Sequence, residues 1–254
     1  MEVAAAAAAA EPSAKQTPEH ARSLRNAARL TAAVGALHAL LFLGSSLLLA
    51  NRPGVHATTA EITEYYDSES SRRVLLVGLY LMPFAGIAFI WFIVALRMWV
   101  EGSAQRVNIL LSNIQLVSGI LYVALFFTAA ASTSVLAASV EFSDGEIDPV
   151  VAHQFPEFGS ALLLVFALRM AAMFVLTTST IARKSRVVPM WFAWSGYVVS
   201  LFLLLSASLE PWLAYVFPVW LLVLSVVLLR SSRKIPSDLL IPTRTPRPSA
   251  IIQQ

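Results

Sequence analysis

The chain has 254 residues, 57% hydrophobic and 13% charged, with a formal net charge of +3 and no cysteine. Soluble domains carry about 45–50% apolar and about 25% charged residues, so this composition excludes an ordinary water-soluble fold and indicates a membrane protein. Without cysteine there are no disulfides, thiolate nucleophiles, iron–sulfur clusters or cysteine zinc sites. The basic residues gather at the ends of apolar runs instead of forming the single patch that nucleic acid needs.

In chain order, residues 1–28 contain seven consecutive alanines and read as a disordered, Ala-rich cytoplasmic tail; no basic segment precedes the alanines, as a secretory signal would require. Residues 29–230 read as a transmembrane domain. A helix needs about 20 apolar residues to cross about 30 Å of hydrocarbon, and six stretches qualify: Leu30–Ala50, Val74–Leu96, Val107–Leu136, Phe158–Ile181, Val188–Leu209 and Trp212–Leu229. The first is followed by Val55-His56-Ala57, the outline of a cleavage site, but its run is longer than a signal's apolar region, so it is read as retained. The third is longer than crossing requires, and Asn108, Asn113 and Gln115 at its start are expected to be wet. Glu210-Pro211 leaves room for a tight hairpin between the last two spans. Residues 231–254 read as an extended, Pro-rich basic cytoplasmic tail whose arginines touch anionic lipid.

Charge sets the orientation. Fourteen of the eighteen Lys and Arg residues fall on one side of this threading, three (Arg52, Arg72, Arg73) on the other, and one, Arg169, inside a span. The richer side is cytoplasmic by the positive-inside rule, and Trp99, Trp191, Trp194 and Trp212 fall near the interfaces, where indoles gather. The expectation is an all-α, polytopic bundle of six spans with both termini cytoplasmic, in the bacterial cytoplasmic (inner) membrane, with the lipid bilayer as its first partner.

Three strings, LYLMPFAGIAFIWFIVALR (Leu79–Arg97), FALRMAAMFVLTTSTI (Phe166–Ile181) and EPWLAYVFPVWLLVLS (Glu210–Ser225), resemble an uncharacterised family of bacterial six-span integral membrane proteins. The resemblance covers the second to sixth spans and implies fold and topology, with no chemistry attached. Members carry a loop of the RDRLG kind after the second span, whereas RMWVEGSAQR here keeps only Arg97, which puts partner docking through that loop in doubt.

Little in the spans suggests catalysis. Their interiors hold no Asp or Glu, which disfavours the carboxylate relay of proton-coupled carriers. His38 is the one intramembrane histidine and has no ligand partner at i+4, so neither a haem nor a metal site is expected; a neutral imidazole bonded to helix backbone, or to Ser45 or Ser46, is. The span serines lack an embedded base beyond His38 and are expected to bond the preceding turn or a neighbouring helix. Outside, Asp144, Glu146 and Asp148 lack the spacing of a calcium loop. Glu61, Glu64 and Asp67 share one side of a short surface helix and read as solvated.

Arg169 stands apart. A cation there costs about 2.5–3.5 kcal/mol on insertion scales, and the twelve residues between it and Ile181 place it about 18 Å above the inner end. Pro83 and Pro218, helix-kinking residues at comparable depth, release the carbonyls of Leu79 and Ala214. A guanidinium offers five donors, so Arg169 is expected to meet those two carbonyls and the hydroxyls of Tyr122 or Tyr197. Two readings stay open: a clasp that locks the bundle, or an anchor for an anionic lipid or amphiphile. The corresponding functions are a non-catalytic binding or transport module centred on Arg169, or a structural or regulatory protein working in a larger assembly through its loops and tails. No enzyme activity, cofactor or metal is expected, and protein partners are not identified by the sequence. Gly78, Gly86 and the small-residue stretch Thr128–Ser134 are the surface an assembly would use.

Overall fold

The computed structural model describes residues 17–52, 57–66, 70–103, 108–142, 149–185, 188–206 and 208–233. Among these residues every regular element is helical: α1 Thr17–Leu48, α2 Thr59–Tyr66, α3 Ser70–Leu76, α4 Met82–Ser103, α5 Ile109–Phe142, α6 Pro149–Ala161, α7 Leu168–Ser185, α8 Met190–Leu205 and α9 Leu213–Arg233. A π-turn at Val77–Leu81 joins α3 to α4, and a second at Leu162–Ala167 joins α6 to α7. Five segments are long and apolar enough to cross a membrane: Arg25–Leu48, Ser70–Val100, Ile109–Ser139, Gln154–Ser185 and Leu213–Ser231.

The stretch Val188–Leu209 differs from its expected length. Its helix, α8, has 16 residues, about 24 Å at the α-helical rise. It stops at Leu205 because Ser206 turns extended (ψ 114°), with its amide and hydroxyl both donating to the Phe202 carbonyl. Pro211 then disfavours helix at Glu210. An irregular connection, not a tight hairpin, therefore leads into α9.

Other boundaries follow local chemistry. Thr17-Pro18-Glu19 is a helix-start signature, so α1 begins within the stretch read as a disordered tail and Ala28 is already buried. Residues 1–16 and 234–254, with most of both expected tails, lie outside the described residues, as do Asp67 and the segment 143–148. Asn108 Oδ1 accepts the amides of Leu110 (3.0 Å) and Leu111 (3.4 Å), fixing the start of α5. Gln115 is not wet. It shares a buried helix face with Ser112, Gly119 and Tyr122 and donates through Nε2 to Thr178 Oγ1 at 2.6 Å.

Helix α1 packs between α4 and α9, α7 packs between α5 and α8, and α6 lies along α5. The bundle is apolar on the outside too: Leu40, Leu47, Phe84, Trp91, Val198 and Leu205 are all more than half exposed, as lipid-facing helices require and water-facing ones do not.

The small-residue stretch of α5 is occupied within the bundle. A Cβ on Gly78 would fall 1.6 Å from Ser134 Oγ and 2.7 Å from Ser134 Cβ; one on Gly159 would fall 2.6 Å from Thr133 Cγ2 and 3.0 Å from the Ala129 carbonyl oxygen. The first π-turn and α6 thus approach α5 closely, as small residues in membrane helices allow. Gly86 faces Phe127 in the same way. Gly78→Ala should lower the melting temperature in detergent by the equivalent of about 1–3 kcal/mol. Adding Ser134→Gly, which removes both obstructing atoms, should restore most of it; an unchanged melt for Gly78→Ala would contradict this contact.

Candidate functional site

His38 lies fully buried at the centre of the bundle. Its Nδ1 is 2.8 Å from the Ala85 carbonyl, to which it donates, and its Nε2 is 3.4 Å from the Tyr122 hydroxyl. The rings of Phe42, Phe89, Tyr122, Phe126 and Phe217 surround it at centroid distances of 4.9–6.4 Å. The expected bond to helix backbone is therefore present, made to α4, while Ser45 and Ser46 donate to Leu41 and Phe42 in the preceding turn.

Arg169 and the four residues expected around it, five in all, do not come together. Arg169, half-buried, donates from Nη1 to the Val165 carbonyl of its own helix. That carbonyl belongs to the second π-turn, where the change from i→i−5 bonding (Leu168 amide to Leu163 carbonyl) back to α-helical spacing skips a carbonyl. Tyr122 meets His38, and the Tyr197 hydroxyl donates to Thr180 Oγ1 at 3.1 Å. Leu79 lies in the first π-turn, half-exposed, four residues before Pro83. Among the described residues no hydrogen bond joins any two of the five.

Ala214 alone of that set lines the cavity of the bundle. This space, about 320 Å³, lies between the end of α1, the start of α4, the far half of α5, the second π-turn and the start of α9. Its floor is apolar: Phe42, Met82, Phe126, Leu163 and Leu164. Phe42 and Phe126 also belong to the rings around His38, 5.9 Å apart, so the aromatic cluster closes the cavity toward the middle of the bundle. The opposite end reaches the surface at Ala50, Glu157, Leu209 and Pro211. Ala214, whose carbonyl lacks an i+4 amide because residue 218 is proline, sits on the wall.

Two further wall residues come from the region of α2. Tyr66 is 2% exposed, and both its hydroxyl and Arg52 Nη2 are buried without a hydrogen-bond partner among the described residues. The helix that carries Tyr66 starts with a capping box: the Thr58 amide (2.7 Å) and hydroxyl (3.0 Å) donate to Glu61 Oε2, and the Glu61 amide donates back to Thr58 Oγ1. These bonds hold the Glu61 carboxyl below its ordinary value, the backbone donor first. Their contribution is present above the unfolded pKa and is lost as pH falls through the lowered one. At Tyr65, next in line, burial raises the phenol, followed by repulsion from Tyr66, with Arg52 and Arg73 partly offsetting both.

Sequence reasoning passed over Arg52 and Tyr66. The available signals were Arg52's place among only three basic residues on the acidic side and the Thr58-x-x-Glu61 cap ahead of Ile62 and Tyr66, one turn apart on one face. Among the described residues no three His, Asp or Glu side chains form a group fit to hold a metal. No protein-family model, curated protein or solved structure matches this chain.

Because the Arg169 bond lies within its own helix, Arg169→Leu should keep the fold and lower stability by no more than about 1 kcal/mol. Arg169→Glu sets a carboxylate beside a carbonyl with no donor between them and should cost about 2 kcal/mol or more. Detergent melts of the pair check this: equal melting temperatures would contradict the Arg169–Val165 contact.

Proposed function

We propose that this is a non-catalytic binding protein of the bacterial cytoplasmic membrane, with six spans and both termini cytoplasmic, which holds the chain of an amphiphile in the cavity on its extracytoplasmic side. The observation that carries this reading is the cavity's construction. It has an apolar floor, a mouth at the surface, and at its inner end a plug of tilted and edge-on aromatic rings around His38. Binding pockets of about 300–1,000 Å³ are typically apolar with a few placed polar groups. A transport path would have to cross the aromatic plug, so binding is favoured over transport.

The span that completes the six, fifth in chain order, is α8 with the residues that follow it. Irregular backbone at membrane depth is tolerated where it lines a cavity, and Leu209 and Pro211, just beyond the break after α8, are wall residues. The asymmetry of Lys and Arg supports the orientation. Arg169 contributes indirectly in this reading, by bonding the π-turn that supplies Leu163 and Leu164 to the floor. The alternative of an assembly scaffold is less favoured, because Gly78, Gly86 and the α5 stretch already pack inside the molecule.

Ser46, half-buried on the wall, allows the cavity to be filled. Native mass spectrometry of the protein released from mild detergent should show a retained amphiphile, and Ser46→Phe should lose it while staying folded; retention by the filled variant would contradict the site. For topology, the cysteine-free chain permits single probes at two exposed positions. Glu141→Cys should react with an impermeant maleimide in intact cells, and Lys184→Cys only after lysis. The reverse pattern would overturn the orientation.

A further inference from the structure

Arg183 is the first charged residue after Arg169 and lies at the end of the apolar segment Gln154–Ser185, where a spanning helix meets the interface. Its Cζ is 5.5 Å from the ring centre of Tyr197 and 5.9 Å from that of Trp194, both on α8, within the range of cation–π attraction. The two rings stand edge to face with centroids 5.6 Å apart. The Tyr197 hydroxyl donates to Thr180 Oγ1, about one turn before Arg183 on α7, which fixes the ring against that helix. The guanidinium is therefore seated in a corner of two placed rings. Arg183 is exposed, and among the described residues it makes no hydrogen bond or ion pair. The geometry points to a binding site for an anionic phospholipid at this corner of α7 and α8, with Arg183 donating to the phosphodiester oxygens and an acyl chain lying along α8.

Three properties of the corner select that partner. A guanidinium held on aromatic rings keeps a planar fork of donors that matches phosphate oxygens in pairs, which a lysine ammonium cannot do. Trp191, Trp194, Val198, Leu201 and Leu205 recur at helical spacing on one face of α8 and are 57–72% exposed, an apolar track about 21 Å long that begins at the corner. A soluble phosphate compound has nothing to lay along that track, whereas a lipid has an acyl chain. Lys184, also exposed, adds a second cation beside Arg183, and Arg183 already occupies the ring corner that would otherwise take the ammonium of a zwitterionic headgroup. Both favour a headgroup with net negative charge. Arg183, Trp194 and Tyr197 are not wall residues of the cavity, so this site does not rest on the reading that the cavity holds an amphiphile.

The test uses the full chain, delipidated in mild detergent and titrated with dioleoyl phosphatidylglycerol or dioleoyl phosphatidylethanolamine, with native mass spectrometry counting the lipid bound. The first phosphatidylglycerol should bind about ten-fold tighter than phosphatidylethanolamine, and Arg183→Gln should remove that advantage, the usual worth of a hydrogen bond to a charged group. Because Arg183 is exposed, Arg183→Gln should melt as the wild type does. Arg183→Lys, which keeps the charge and loses the fork, and Trp194→Leu, which keeps the charge and loses a ring, should each weaken phosphatidylglycerol about three-fold. Arg230→Gln removes another exposed cation, at the end of α9, and should change binding less than about two-fold. Excess inorganic phosphate should not displace the lipid; displacement would mark a site for a soluble anion and overturn the inference. Equal affinity for the two lipids, or an Arg230→Gln loss as large as that of Arg183→Gln, would show attraction by surface charge alone and overturn it too. So would wild-type binding by both Arg183→Lys and Trp194→Leu.

Discussion

The hydrogen bond from His38 to the Ala85 carbonyl ties α1 to α4 at the middle of the bundle, and much of the architecture follows from it. A fully buried imidazole must have partners for its nitrogens, and this one is held among five aromatic rings that would otherwise leave it unsatisfied. Ala85 lies three residues beyond Met82, whose amide bonds back to Val77 across the first π-turn. The wide turn, the proline that follows it and the histidine bond therefore sit within one short stretch of chain. Together they set where α4 meets α1, and so where Phe42 is held against Phe126. That ring pair is at once the roof of the histidine cluster and the floor of the cavity.

A few polar groups inside the bundle are paired across helices. Gln115 joins α5 to α7, Tyr197 joins α8 to α7, and Ser132 donates to the Phe155 carbonyl to join α5 to α6. Such bonds matter in a membrane helix bundle because hydrocarbon offers no competing water. Not every such group is paired: the Tyr66 hydroxyl and Arg52 Nη2, on two cavity-lining residues, lack a hydrogen-bond partner among the described residues, as do Ser179 Oγ and Trp220 Nε1. Strain and unmet polarity are commonly retained at functional sites, where stability is given up for recognition.

Much of the fold was legible in the sequence because the signals were local. Long apolar runs gave the helices and Glu210-Pro211 marked the approach to α9, whereas the start of α1 at Thr17 fell in a stretch read as a disordered tail and Asn108, read as wet, caps α5. What was not legible depends on neighbours. Gln115 looks like an interfacial residue until α7 supplies Thr178, and Gly78 looks like an assembly surface until Ser134 arrives from α5. Arg169 drew attention because it is a lone cation in an apolar run, yet its bond is to its own helix, through a π-turn that periodicity does not announce. Arg52 and Tyr66 were hidden for the opposite reason. Each looks ordinary in a polar loop, and only the folded chain buries them beside a cavity.

The central claim is that an amphiphile's chain reaches the floor of the cavity, and photo-crosslinking tests it most directly. Dodecanoate carrying a diazirine at its chain end, bound to the full protein and irradiated, should label Phe42, Phe126 or Leu164, as located by peptide mass spectrometry. Labelling confined to outward-facing residues such as Trp91, Val198 or Leu201 would show that the chain stays in the surrounding lipid, and would contradict the account.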